Sequence, residues 1–169
     1  MNNSEKYSVS LPYPPTDVCF ETELTFARAL IPSLLGELQT VSDYIYQSII
    51  LEKEYPELSK TLEGIAIVEM RHYKMLSQLI YALGLDPHIN NRIRTLPLGI
   101  LYENDENVLC KIKKTLLQNI SEEDSAKEEY RKLANCSHDS KIAKILERIA
   151  DDEELHAEIF SKTLHKLPI

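Results

Sequence analysis

The strongest constraint on the fold of this chain is a helical repeat of apolar residues that glutamates interrupt. In four stretches, apolar side chains recur at spacings of three and four residues, which places them on one face of an α-helix. Each of these faces also contains a glutamate, and two contain a histidine three residues after it. The four predicted inward faces are Leu30, Leu34, Glu37, Val41, Tyr44, Ser48 and Leu51; Leu62, Ile65, Glu69, His72, Leu76, Leu79 and Leu83; Leu109, Ile112, Leu116, Ile120, Glu123, Tyr130 and Leu133; and Ile142, Ile145, Ile149, Glu153, His156, Phe160 and Leu167.

The connections between these stretches predict an all-α, antiparallel four-helix bundle. Within each pair of helices, a short turn joins the two helices. About 20 residues, from Leu85 to Asn104, separate the first pair from the second. Helices of about 25 residues are roughly 38 Å long, and about 20 extended residues cover that distance. Two hairpins joined by one long crossover is the ferritin-like arrangement of a four-helix bundle.

The ends of the domain and of its helices follow from proline and polar residues. We expect residues 1–20, which include three prolines, to form an extended N-terminal arm, and residues 21–169 to form the bundle. Pro32 predicts a kink or a helix start close to it. Asn104 or Asp105 is the expected cap of the third helix.

Composition and charge disfavour several classes of protein. With 43% hydrophobic residues, four glycines and no tryptophan, the chain is typical of a helical globular domain. Its net charge of −8 disfavours nucleic-acid binding, and the basic run from Lys111 to Lys114 is interpreted as a solvated helix face. Three separated cysteines encode no disulfide framework, which favours the cytoplasm. Without a signal sequence or an apolar run of about 18 residues, we expect a soluble protein with no membrane partner.

Each predicted hairpin contains the same polar set, a glutamate on its first helix and Glu-x-x-His on its second. The interval from the single glutamate to the glutamate of Glu-x-x-His is similar in the two hairpins. We therefore expect the two sets to lie at nearly equal depth along the bundle. Four carboxylates buried together would each cost several kcal/mol in desolvation and would also repel one another. Two divalent cations would balance the four negative charges, and two neutral imidazoles would complete the ligands. The predicted metal ligands are Glu37, Glu69, His72, Glu123, Glu153 and His156.

The donor set and its neighbours refine this prediction. Oxygen-rich ligation with one imidazole per metal favours two iron ions, with manganese or a mixed pair as alternatives, and does not exclude zinc. Tyr44 and Tyr130 follow the single glutamates by seven residues, two turns along the same face. Each is either a core tyrosine or a hydrogen-bond donor to a metal-bound carboxylate. Asp152 is either solvated or accepts a hydrogen bond from a ligand imidazole across the bundle.

Four stretches resemble the metal-binding helices of the rubrerythrin and ferritin-like family: GELQTVSDYIY (36–46), GIAIVEMRHYKML (64–76), EDSAKEEYRKL (123–133) and IADDEELHAEIF (149–160). The resemblance covers roughly residues 24–166. It implies that Glu69 and Glu153 bridge the metals, that the other four ligands are terminal, and that the protein is a homodimer. Two features depart from the family. The four-cysteine rubredoxin module is missing, so a separate electron-donor protein is expected, and Ile120 and Ala126 occupy the turns around Glu123 where an additional carboxylate is usual.

These features predict a di-iron oxidoreductase that reduces hydrogen peroxide or dioxygen, and the resemblance favours peroxide and a role in oxidative stress. Three alternatives remain open at this point. A ferroxidase would use ferrous iron as its substrate. Manganese in the same ligands would permit peroxide disproportionation. A non-enzymatic iron-binding or structural bundle would use the metals to hold its helices together.

Overall fold

The computed structural model describes residues 6–16, 21–89 and 108–167. These residues form five α-helices and no strand: α1 (Leu24–Ala29), α2 (Ile31–Leu51), α3 (Pro56–Ala82), α4 (Val108–Cys136) and α5 (Ser140–Lys166). The long helices pair as α2 with α3 and α4 with α5, and the two hairpins meet where α3 contacts α5. The predicted four-helix bundle is confirmed, with α1 as a short helix ahead of it.

Proline, glycine and aspartate set the helix boundaries. Leu30 separates α1 from α2, and Pro32 lies in the first turn of α2. N–H groups in the first turn have no partner within the helix, so the missing N–H of proline costs no hydrogen bond there. Of the two predictions for Pro32, the structure therefore shows a helix start. Gly84 follows α3 with a φ of 93°, in the left-handed region that favours glycine. The Asp139 side chain accepts a hydrogen bond of 2.7 Å from a backbone N–H in the first turn of α5.

The core consists of two apolar clusters, one toward each end of the bundle, with a polar layer between them. The first cluster includes Phe26, Leu30, Leu34, Leu76, Leu79, Leu133, Ile142, Ile145 and Ile149. The second includes Leu51, Leu58, Leu62, Ile65, Ile112, Leu116 and Phe160. The end of α3 belongs to the first cluster and the start of α4 to the second, which is what a crossover between opposite ends of the bundle requires. Residues 90–104 of that crossover and the predicted cap at Asn104 or Asp105 lie outside the described residues.

One prediction about the helix surface is wrong. Lys111, interpreted from the sequence as part of a solvated face, is only 4% exposed, although Lys114 is exposed as expected. Lys111 lies on the same side of α4 as Asn119, two turns further along, and Asn119 is also buried. A lysine at the margin of a buried face can cover its aliphatic stem with neighbouring residues.

The described part of the predicted arm lies against α3 and α5. We call residues 6–16 the N-terminal segment. Tyr7 is 5% exposed, and its ring packs on the backbone of α3 at Gly64. Arg148 of α5 donates hydrogen bonds of 3.0 Å each to the carbonyls of Leu11 and Val9. Residues 1–5 and 17–20 lie outside the described part of the chain.

The helices are also informative about membranes. Among those described, none combines the length and the hydropathy that crossing a bilayer requires.

Candidate metal centre

The polar layer of the bundle brings together all six residues that the sequence singled out as metal ligands. Each of the four long helices contributes, because each glutamate or histidine replaces an apolar residue on an inward face. The residues, with their exposed fractions, are Glu37 (5%) on α2, Glu69 (0%) and His72 (0%) on α3, Glu123 (2%) on α4, and Glu153 (2%) and His156 (0%) on α5. We call them the carboxylate–histidine cluster.

The carboxylate–histidine cluster divides into two overlapping groups that could each hold a metal ion. In each group the potential ligand atoms all lie within 4.8 Å of one another. The first group is Glu37, Glu69, His72 and Glu153, and the second is Glu69, Glu123, Glu153 and His156. Glu69 and Glu153 belong to both groups. Each group therefore offers three carboxylates and one imidazole, a donor set suited to iron or manganese.

Both imidazoles direct Nδ1 into the cluster. His72 Nδ1 lies 2.8 Å from Glu69 Oε2, and His156 Nδ1 lies 2.8 Å from Glu69 Oε1. Despite these short distances, three buried atoms of the cluster lack a hydrogen-bond partner: Glu69 Oε1, Glu153 Oε1 and His156 Nδ1. A buried polar atom without a partner costs about 1–3 kcal/mol. Cations between these atoms would satisfy all three, so the residues present fit a metal centre.

Nε2 of each imidazole, which faces away from the cluster, lies within hydrogen-bond distance of one acceptor. His72 Nε2 lies 3.0 Å from Asp152 Oδ2, across the bundle, and His156 Nε2 lies 2.8 Å from the carbonyl oxygen of Tyr7. A carboxylate or carbonyl in this place fixes the tautomer of a ligand histidine and leaves the other nitrogen free to bind metal. Asp152, for which the sequence left two interpretations open, is buried and contacts His72. The contact between His156 and Tyr7 could not be predicted from the sequence pattern.

The two tyrosines cross between the hairpins. Tyr44 on α2 donates its hydroxyl hydrogen to Glu123 on α4, and Tyr130 on α4 donates to Glu37 on α2. Burial, followed by the neighbouring carboxylate, raises the pKa of both phenols well above the ordinary value. Both tyrosines therefore stay protonated and act as donors to the unshared glutamates.

The Rubrerythrin family profile matches residues 29–164, which include α2 to α4, nearly all of α5 and the whole carboxylate–histidine cluster. The chain belongs to the rubrerythrin family. No curated protein and no solved structure gives a significant match.

The carboxyl groups of the cluster differ in pKa when no metal is bound. Burial, with repulsion from Glu69, raises the pKa of Glu37 and of Glu123 well above the ordinary value. Burial also acts to raise the pKa of Glu69 and of Glu153, but the neighbouring imidazoles outweigh it and hold both pKa values below the ordinary value. The shared glutamates are therefore the ionised ones.

The imidazoles have the complementary charge. Burial acts to lower the pKa of His72 and of His156, but the shared carboxylates outweigh burial and raise both pKa values well above the ordinary value. Without metal, these directions favour two ionised carboxylates, two imidazolium groups and two protonated carboxylic acids. The charges of the cluster then balance within the buried layer.

Arg148 also belongs to the surroundings of the cluster, although the sequence pattern did not indicate it. It is 4% exposed, and its Nη1 lies 2.8 Å from Asp152 Oδ1. Burial acts to raise the pKa of Asp152, but the hydrogen bond with His72 and those from Tyr13 and the Val9 N–H hold it well below the usual range. The signal was the spacing, since Arg148 precedes Asp152 by four residues beside the apolar face of α5. Arg148 balances Asp152 rather than the cluster, so the cluster itself still contains no Lys or Arg.

A cavity of about 480 Å³ reaches the carboxylate–histidine cluster between α2 and α4. Its inner end is lined by buried residues, including both tyrosines and all four glutamates of the cluster. Its outer end includes the exposed Glu122 and Glu129 and the half-buried Asp43. The candidate metal centre is therefore accessible from the side of α2 and α4, while the N-terminal segment covers the side of α3 and α5.

Proposed function

We propose that this member of the rubrerythrin family is a di-iron oxidoreductase that reduces hydrogen peroxide or dioxygen. The observation that supports this most is that two ligand groups share Glu69 and Glu153 at the inner end of a cavity. A shared pair of carboxylates favours two cations held close together over two independent sites. A small oxygen compound entering the cavity would reach both groups at once.

The proposed ligands have distinct roles. Glu69 and Glu153 would bind both irons, and each iron would also have one unshared glutamate and one histidine: Glu37 with His72, and Glu123 with His156. When bound, iron supplies electrons and stabilises negative charge on the oxygen atoms being reduced. The tyrosine hydroxyls hold the unshared carboxylates in one orientation. The N-terminal segment limits the access of water from the side opposite the cavity.

The electron balance requires a partner. Reduction of one hydrogen peroxide to two waters consumes two electrons and two protons, which matches the oxidation of two ferrous ions to ferric. We propose that a separate electron-donor protein returns the electrons. We further propose a homodimer that works in the cytoplasm as part of the response to oxidative stress.

Peroxide consumption tests the proposed activity. The protein is loaded with Fe²⁺ without oxygen, mixed with hydrogen peroxide, and the remaining peroxide is measured with a reductant present. Glu69→Ala should reduce turnover to the background rate of free iron, because it removes a ligand from both groups. Glu147→Gln, which changes an exposed glutamate on α5, should match the parent protein. Equal turnover in Glu69→Ala and the parent, with both folded by circular dichroism, would contradict the proposal.

A second candidate is a ferroxidase, which the acidic lining of the cavity favours. Asp43, Glu122 and Glu129 line the approach to the cluster, and carboxylates along a cleft attract cations. Ferrous iron would then be the substrate. Adding an excess of Fe²⁺ in air distinguishes the two: a ferroxidase keeps oxidising iron well beyond two ions per chain, whereas the proposed oxidoreductase stops there unless a reductant is supplied.

A further inference from the structure

The wall of the metal centre opposite the cavity is formed by the N-terminal segment. The carbonyl oxygen of Tyr7 lies 2.8 Å from Nε2 of His156, so the segment contacts one proposed ligand directly. Tyr7 is buried, and its ring lies in the second apolar cluster. The backbone of the segment is therefore held close to the imidazole by a side chain that packs in the core.

The N-terminal segment is connected to the other proposed ligand histidine, His72, through Asp152. The N–H of Val9 donates to Asp152 Oδ1 at 2.7 Å, and the Tyr13 hydroxyl donates to Asp152 Oδ2. Asp152 Oδ2 is also the partner of His72 Nε2 at 3.0 Å. The orientation of His72 thus depends on a carboxylate that the segment holds.

Arg148 fixes the segment against α5 at the same place. Its guanidinium binds Asp152, donates to the carbonyls of Val9 and Leu11, and lies 4.0 Å from the centroid of the Tyr13 ring. Removing the segment would expose these groups to water, leave His156 Nε2 without its partner, and take from Asp152, the partner of His72 Nε2, the donors that Val9 and Tyr13 supply. The two rings would then be free to rotate and to change tautomer.

We propose that docking of the N-terminal segment is coupled to metal binding. The docked segment aims Nδ1 of both imidazoles at the cluster and increases metal affinity, and bound metal in turn holds the segment on α3 and α5. The two effects must be equal in magnitude, because a coupling free energy between two binding events is reciprocal. This inference rests on the metal centre of the proposed function but not on its redox activity.

Gly64 allows the segment to be displaced without changing any proposed ligand. A Cβ at this position would lie 2.9 Å from Cζ of Tyr7 and closer still to Cδ2 and Cε2, so Gly64→Ala should push the Tyr7 ring off α3. Alanine is the better helix former, so the substitution favours α3 itself. Gly36→Ala in α2 is the matched control, because an added Cβ there meets nothing within 4 Å.

The test is a Co²⁺ titration of the full-length protein and its variants, followed by visible absorption. Gly64→Ala should weaken Co²⁺ binding by about 10–100-fold, the usual effect of losing a partner of a ligand, and should alter the Co²⁺ spectrum. Tyr13→Phe removes only the hydroxyl that donates to Asp152 Oδ2, and it should weaken the binding of one of the two Co²⁺ ions. Gly36→Ala should bind as the parent does. Hydrogen exchange at the Val9 amide should be slowed by Co²⁺ in the parent protein.

The outcomes separate this inference from the proposed function. If the parent binds no Co²⁺, the metal centre itself is wrong and the coupling fails with it. If Gly64→Ala speeds Val9 exchange but binds Co²⁺ as tightly as the parent, only the coupling is refuted. If Gly64→Ala leaves Val9 exchange unchanged, Tyr13→Phe decides the matter, and parent-like affinity in that variant refutes the coupling.

Discussion

Metal loading of the carboxylate–histidine cluster should release two protons for each divalent cation. Without metal, burial and the neighbouring charges raise the pKa values of Glu37, Glu123 and both imidazoles, which favours one additional proton on each of these four groups. With two cations bound, charge balance requires four carboxylates and two neutral imidazoles. Four protons must therefore leave as two metal ions enter.

The release fixes how strongly metal affinity depends on pH. If each cation displaces two protons, the apparent dissociation constant should fall by about 100-fold for each unit of pH increase. This slope applies while pH is below the raised pKa values of the displaced groups. Above those values the protons have already left, so the slope should flatten.

Calorimetric titration with Mn²⁺ in buffers of different ionisation enthalpy counts the protons directly. Glu37→Gln should release one proton fewer, because an amide has no proton to lose on metal binding, although its affinity will also fall. Glu147→Gln, on the exposed surface of α5, should release as many protons as the parent. A release near zero at pH 7, with two ions bound, would refute the charge assignment derived from the buried cluster.

Three further predictions concern stoichiometry and stability. His72→Ala should reduce bound metal from two ions to one by equilibrium dialysis, whereas Glu69→Ala should remove both, and equal losses would show that Glu69 is not shared. Tyr130→Phe leaves an oxygen of Glu37 without its donor and should destabilise the metal-free protein by about 1–3 kcal/mol in urea unfolding; an unchanged midpoint would mean that water replaces the hydroxyl. Because the imidazoles have raised pKa values in the folded protein, their contribution to the free energy of unfolding is complete below about pH 6.5. It is lost as pH rises through the raised pKa values, by about 1.4 kcal/mol for each proton and each pH unit. Thermal unfolding of the metal-free protein at pH 6 and pH 8 measures this, and greater stability at pH 8 would contradict it.

The positions of the six cluster residues could be predicted because helix periodicity decides which residues share a face. A glutamate at the spacing of buried leucines must enter the core, and a buried carboxylate needs a compensating charge. Periodicity also placed Tyr44 and Tyr130 inward. It could not reveal that each tyrosine contacts the glutamate of the other hairpin, because that contact depends on how the hairpins face each other.

The contacts of the N-terminal segment could not be predicted from sequence patterns. Three prolines indicate an extended chain but not its partner, and the contact between Val9 and Asp152 joins residues 143 positions apart. Gly64 was the available signal, because glycine within a long helix costs about 1 kcal/mol and often marks a close backbone approach. The burial of Lys111 had no comparable signal, since its neighbours in sequence are also basic.

The segment also makes the two metal groups unequal, although the hairpins that supply them are alike. His72 has a carboxylate behind it and His156 a backbone carbonyl. A carboxylate partner makes an imidazole a stronger ligand than a carbonyl does, but Arg148 withdraws part of that effect by pairing with the same Asp152. The group containing His72 therefore depends on a charged network shared with the segment, whereas the group containing His156 depends on the position of one backbone oxygen. Ions bound in such surroundings would differ in how firmly they are held, so an internal duplication of ligands does not by itself predict two equivalent metal sites.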